Sequence, residues 1–169
     1  MKICNLLFIM LIESFAFLVC AQNTENGFKL VKLSSDRFYY EDINTEKYEA
    51  PLKDRQGREL SVHAVQYKNQ REELISIEKS IFTPEERKQI QKYNSKPIIA
   101  NVLIEAVSGN VVCVSFSFGP VDDSFKFDTE KLAKYREEIK RNIKFDKISF
   151  RRGDVVSGSF YQMLRVFMD

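Results

Sequence analysis

The chain predicts an α+β fold in which an antiparallel sheet is built on a central β-hairpin at 98–118 and a helix over 128–142 packs across it. Three observations carry this. The first is the stretch from Ile98 to Phe118. Ala100, Val102, Ile104 and Ala106 alternate with Asn101, Leu103, Glu105 and Val107. Ser108-Gly109-Asn110 interrupts, and then Val112, Val114, Phe116 and Phe118 alternate with Cys113, Ser115 and Ser117. Period-two alternation on both sides of a short Gly/Asn turn is a hairpin signal. The face expected to be covered carries Val112, Val114, Phe116 and Phe118, since each fully buried apolar side chain is worth about 1.5–3 kcal/mol. The second is the stripe Leu132, Tyr135, Ile139 and Ile143, spaced as one face of a helix. The third is the apolar run from Val155 to Met168, a β-like end to the chain broken by Gly158.

The helix over 128–142 has matched ends. Asp128 caps it, and Phe127 before the cap is placed to pack on Leu132 as a hydrophobic staple. Glu130 lies near the positive end of the helix dipole, Lys140 and Arg141 near the negative end. An earlier helix opens at Thr83-Pro84-Glu85-Glu86. Thr83 caps, Pro84 suits the first helical position, and Glu86 completes a capping box. This helix is expected to reach about Tyr93, with Asn94-Ser95 and Pro97 ending it.

The N-terminal part reads less sharply. Phe28–Leu33 and Arg37–Tyr40 predict short strands, and the polar stretch from there to Lys53 reads as irregular. Asp54-Arg55-Gln56-Gly57-Arg58 is a turn, and Glu59–Tyr67 a strand by the alternation of Leu60, Val62 and Ala64 with Ser61 and His63. Glu72–Ile81 is ambiguous: Leu74, Ile77 and Ile81 fit a helical stripe, Ile75 and Ile77 a strand, and the surrounding Gln, Glu, Arg and Lys residues favour helix by propensity. Near the other end, Arg151-Arg152-Gly153-Asp154 is a turn. The Gly158 break in the last strand marks a bulge or the close approach of another backbone.

A net charge of +2 lacks the basic excess of a nucleic-acid binder. The first residues have the form of a secretory signal. Lys2 is followed by apolar runs at Ile3–Ile12 and Phe15–Val19, and Val19-Cys20-Ala21 precedes Gln22 as a cleavage site. Glu13 within the run argues against a permanent span, because a carboxylate at membrane depth is costly. The expectation is therefore a cleaved signal at 1–21 and a single α+β domain at 22–169, exported to the periplasm or beyond, with no membrane span in the mature chain. Retention as an anchor and lipidation at Cys20 are the alternatives. Cleavage leaves Cys113 as the one mature cysteine, which excludes an internal disulfide; on a strand it reads as a small hydrophobe.

The residues name no chemistry. His63 is the only histidine, and no nucleophile elbow, zinc spacing or phosphate loop accompanies it. Asp122, Asp123 and Asp128 gather carboxylates near Gly119-Pro120 but match no calcium loop. Lys144, Lys147, Arg151 and Arg152 make a basic patch that reads as a solvated turn. The reading is of a non-enzymatic protein: no catalytic residue, no metal ligand and no cofactor.

From Phe82 to Phe167 the order of elements resembles the C-terminal domain of TonB-type energy transducers. Phe82-Thr83-Pro84 stands near that family's Tyr-Pro helix start. Ser108-Gly109-Asn110-Val111 stands at its Asp-Gly-x-Val hairpin turn, Phe127-Asp128 before its second helix, Ile143-Lys144-Phe145 at that helix's end and Arg152-Gly153 at the next turn. The whole chain is also similar to small secreted Bacteroidetes proteins. The resemblance implies an αββαββ part over 81–169, preceded by strands and the ambiguous segment in 22–80. A transducer keeps an anchor and a long Pro-rich spacer, whereas this chain has four scattered prolines; an anchored energy transducer, like an enzyme of unknown type, is the alternative reading. TonB-like domains offer a strand after the second helix to a partner's extended segment. By that likeness the expected contact with an envelope or secreted protein is Ser157, Gly158, Ser159, Tyr161, Gln162, Met163 and Arg165. Ser157-Gly158-Ser159 would admit another backbone, and the others would supply side chains.

Overall fold

The computed structural model describes residues 24–34, 37–61, 70–93, 98–119, 127–145 and 154–167. In chain order these form β1 (Thr24–Glu25), β2 (Phe28–Ser34), β3 (Arg37–Asp42), α1 (Thr45–Tyr48), β4 (Leu52–Asp54), β5 (Glu59–Leu60), α2 (Arg71–Ile81), α3 (Pro84–Tyr93), β6 (Ile98–Glu105), β7 (Val111–Phe118), α4 (Thr129–Asn142), β8 (Val155–Ser157) and β9 (Ser159–Val166). The protein is α+β. Six strands make one sheet in the order β1-β2-β3-β7-β6-β9, and β5-β4-β8 make a second. Each pairing between these strands is antiparallel.

The hairpin β6–β7 sits inside the larger sheet, between β3 and β9. Its turn needs Gly109. That residue has φ +71°, and a side chain there would run into the carbonyl of Phe145, whose N–H donates back to the Gly109 carbonyl at 3.0 Å. Glycine alone meets both demands cheaply.

Helix α4 covers the predicted face. Leu132, Tyr135 and Ile139 are fully buried, and the Tyr135 ring stacks on Phe116 with centroids 5.6 Å apart. Val114, Phe116 and Phe118 lie in this core as expected, but Val112 does not. Leu103 pairs with Cys113 while the next residue, Ile104, pairs with Val111, so β7 carries one extra residue at that point. A bulge of this kind moves the following side chain to the other face. Val111 is buried in the core and Val112 only half-buried.

The ambiguous segment at 72–81 is helical, with Leu74 and Ile77 buried. Glu78 lies on the same buried stripe. Its Oε1 accepts from the Tyr135 hydroxyl at 2.8 Å and from the Phe167 N–H at 2.8 Å, which ties α2, α4 and the end of β9 together. Pairing is what permits a carboxylate at that depth. The capping box of α3 is formed: Thr83 N–H donates to Glu86 Oε2 at 2.9 Å, and Glu86 N–H to Thr83 Oγ1 at 3.2 Å. Asp128 caps α4 through N–H donors of Glu130 and Lys131.

Two further expectations need correcting. The stretch after Tyr40 is not irregular throughout. Asp42 Oδ1 accepts from Asn44 N–H and the Asp42 carbonyl from the Thr45 hydroxyl, starting the helical turn α1, and β4 follows. Nor is Val155–Phe167 one strand. It divides at Gly158, β8 pairing with β4 and β9 with β6. Of the strand expected at 59–67, Glu59–Leu60 is β5 and 62–69 lies outside the described residues, as do the signal segment, His63, Asp122, Asp123, Lys147, Arg151 and Arg152.

Candidate functional site

Strand β9 stands last in the order of the six-stranded sheet. Alternation of the antiparallel ladder decides which of its backbone groups face β6 and which face outward. The carbonyl of Gly158 accepts from Ala106 N–H at 3.0 Å, on the β6 side, while the N–H of Ser159 points the other way, to the carbonyl of Ala50 at 3.0 Å. Glu105, which pairs with Ser159, spends its own N–H on Asn110 across the hairpin. Phe160, Gln162, Leu164 and Val166 therefore bond β6, and Ser159, Tyr161, Met163 and Arg165 turn their N–H and C=O outward; Phe167, just past the end of β9 at φ +54°, leaves the ladder and buries its ring in the core.

Both ends of this outward row are occupied. Ser159 is held by Ala50, and its hydroxyl also donates to the Tyr48 carbonyl at 2.9 Å. Phe167 N–H is held by the buried Glu78 carboxylate. Between these stops the outward N–H groups of Tyr161, Met163 and Arg165 have no partner among the described residues.

The same three side chains share one face of the sheet, opposite to the core. Cross-strand rows run Tyr39–Ser117–Ile99–Arg165, Ser115–Asn101–Met163 and Cys113–Leu103–Tyr161. Around Met163 this face is shallow and open, lined by Tyr39, Asn101, Ser117, Tyr161, Gln162 and Met163, whereas Leu103, Cys113 and Ser115 on the same face are buried. Met163 is 67% exposed and Tyr161 46%, which leaves apolar side chains in solvent beside an unfilled strand edge. Asn101 Nδ2 donates to Ser117 Oγ at 2.9 Å, so the row beside Met163 is polar and already ordered.

Charge divides the edge into two ends. Near Tyr161 stands Glu49, the two lining one cavity with Leu52 and Leu60. Desolvation, with Glu49 next in weight, pushes that phenol up to about 12. Tyr39 is raised as well, chiefly by desolvation. At the other end Arg165 is exposed and makes no ion pair among the described residues.

Of the predicted contact residues, the structure brings Tyr161, Met163 and Arg165 together on the open face. Gln162 belongs to the β6-bonded set, and its Nε2 donates to the Met163 carbonyl at 3.3 Å. Ser157, Gly158 and Ser159 do meet another backbone, but it is the chain's own. Ser157 pairs with Lys53, and Gly158, at φ +104°, lies so close to Pro51 and Leu52 that a side chain would collide with the Pro51 carbonyl. These three positions are filled from within. Tyr39, Asn101, Ser117 and Glu49 were not singled out in the sequence. The signal for the first three was their position on the polar alternation of strands flanking the core side.

Among the described residues no reactive cluster gathers elsewhere. Cys113 is buried, and desolvation pushes its thiol up to about 11, which suppresses the thiolate that reactivity requires. Among the described residues no group of three or more His, Cys, Asp or Glu side chains is placed to hold a metal. Among them also, no helix is long and apolar enough to cross a membrane.

Neither a family model nor a curated protein matches the chain. Its fold is similar to the crystal structure of a DUF5043 family protein from Bacteroides uniformis, at 16% identity and a TM-score of 0.59, over 84% of this chain and 87% of that one. A likeness at this identity concerns the fold alone.

Proposed function

We propose that this is an exported, non-enzymatic envelope or secreted protein that binds an extended segment of another envelope protein by strand addition at β9. The observation that carries the reading is the edge itself. Tyr161, Met163 and Arg165 point their backbone groups outward and their side chains onto an uncovered face. Strand addition takes affinity from backbone hydrogen bonds and specificity from alternate side chains, and this edge offers both at the same three residues. Export rests on the signal-like first segment. The succession of α3, β6, β7, α4, β8 and β9 supports kinship in fold with TonB C-terminal domains.

Photo-crosslinking in the producing cell tests the reading. A photoreactive residue at Met163 should yield a defined adduct with an envelope or secreted protein, and one at Lys88 on α3 should not. Tyr161→Pro, which removes an outward N–H, should abolish the adduct. Failure to crosslink from Met163, or an adduct indifferent to Tyr161→Pro, contradicts the proposal. Intact mass of the recovered protein, starting at Gln22, checks export.

A further inference from the structure

Resting on that reading, we infer what the occupant is: a five-residue extended segment, antiparallel to β9, acidic at its first position, apolar at its third and basic at its fifth. The length follows from the two internal stops. Ala50 already occupies the outer side of Ser159, and Glu78 the N–H of Phe167. Among the described residues the outer edge of β9 is open only from Tyr161 to Arg165, and a strand paired across it spans about 14 Å at about 3.4 Å per residue. A partner must turn away at both ends, as a loop or a flexible tail does and a long regular strand does not.

The pattern follows from the register. Directly opposed residues of an antiparallel pair point to the same face and touch. The first residue of the segment lies opposite Arg165, an exposed guanidinium, where a carboxylate is complementary. The third lies opposite Met163, whose thioether is 67% exposed beside Asn101 and is covered best by a branched apolar side chain. The fifth lies opposite Tyr161 and its neighbour Glu49, where a Lys or Arg meets both a carboxylate and an aromatic face. The second and fourth residues point to the opposite face and carry no charge requirement.

A second copy of this chain is a poorer occupant, although its β9 presents Arg165, Met163 and Tyr161 in a matching order. Paired antiparallel about Met163, that strand sets Tyr161 rather than a carboxylate opposite Arg165. The mismatch occurs twice, once at each end of the twofold pairing.

The test uses the mature protein and synthetic peptides with the centre Glu-Thr-Val-Thr-Lys between Gly-Ser flanks. The controls are the charge-reversed Lys-Thr-Val-Thr-Glu and a backbone-blocked form of the first peptide, N-methylated at its Glu, Val and Lys, whose N–H groups are the ones that would bond β9, with binding read by amide chemical-shift titration. The first peptide should bind roughly tenfold more tightly than its charge-reversed form, from two rim ion pairs made or opposed. The double variant Glu49→Lys with Arg165→Glu, both exposed, should reverse that order. If both charge forms bind equally and Tyr161→Pro abolishes both, the recognition pattern is overturned while strand addition stands. If no peptide shifts the amides of Tyr161, Met163 or Arg165, both fail. A concentration-dependent dimer broken by Met163→Pro overturns the pattern in favour of a second copy.

Discussion

The N–H of Ser159 donates to the carbonyl of Ala50 at 3.0 Å, on the side of β9 that faces away from β6. This contact fixes the phase of the whole strand, because hydrogen-bonding direction alternates along an antiparallel ladder. It is also the reason the edge is short. The chain seals β9 at Ser159 with its own backbone and at Phe167 with Glu78. What it leaves unsealed are three residues that also expose a tyrosine, a methionine and an arginine. Long exposed edges invite aggregation, and two internal stops reduce this one to the length of a peptide.

Proline substitution distinguishes the two phases of β9. Met163→Pro removes an outward N–H and should leave stability within about 1 kcal/mol, since proline is tolerated where an edge N–H faces solvent. Gln162→Pro removes a donor to β6 and should cost about 3 kcal/mol or more. Urea denaturation of the two variants checks this; equal costs would mean the phase is wrong.

Glu78 should be the costliest polar residue to truncate. Glu78→Ala leaves the Tyr135 hydroxyl and the Phe167 N–H buried without their acceptor, at about 1–3 kcal/mol for each group. Tyr135→Phe should cost less, and a double-mutant cycle should show coupling between the two. Independent, additive losses would contradict the link.

Phe116 tests the core. It is fully buried against Tyr135 and Phe28, so Phe116→Ala should cost about 3–5 kcal/mol. A loss below about 1 kcal/mol in the denaturation midpoint analysis would place the centre of the core elsewhere.

Stability should fall in alkali. Burial raises the Cys113 thiol from 9.0 to about 11, and raises Tyr135 well above its ordinary value. Both groups hold their protons more tightly folded than unfolded. Their contribution is complete below pH 9, and it declines as pH rises toward about 11 and the unfolded chain releases protons that the native state keeps. Urea melts between pH 7 and pH 10.5 should show this decline, and Cys113→Ala should flatten part of it. Stability that is flat or rising across that range would contradict the buried thiol.

Much of this was legible along the chain because the strongest elements signal locally. The hairpin's alternation, the stripe of α4 with its Asp128 cap and the Thr83–Glu86 capping box each depend on residues within a few positions. The bulge at Val112 was not legible, since the residue slip is set by pairing with Ile104 rather than by any residue type. Gly158 announced a close backbone but not whose: Pro51 approaches it from more than a hundred positions away in sequence. The candidate site was half legible for the same reason. Tyr161, Met163 and Arg165 alternate on one strand, whereas Glu49, Tyr39, Asn101 and Ser117 reach them only through the sheet order.

Residue-resolved amide hydrogen exchange of the free protein by NMR tests the central claim, that alternate N–H groups of β9 form an open edge. The account predicts slow exchange at Phe160, Gln162 and Leu164 and exchange at least about a hundredfold faster at Tyr161, Met163 and Arg165, as expected of solvent-facing edge amides. Uniform protection from Phe160 to Arg165 would show that the edge is already paired, and would contradict strand addition at β9.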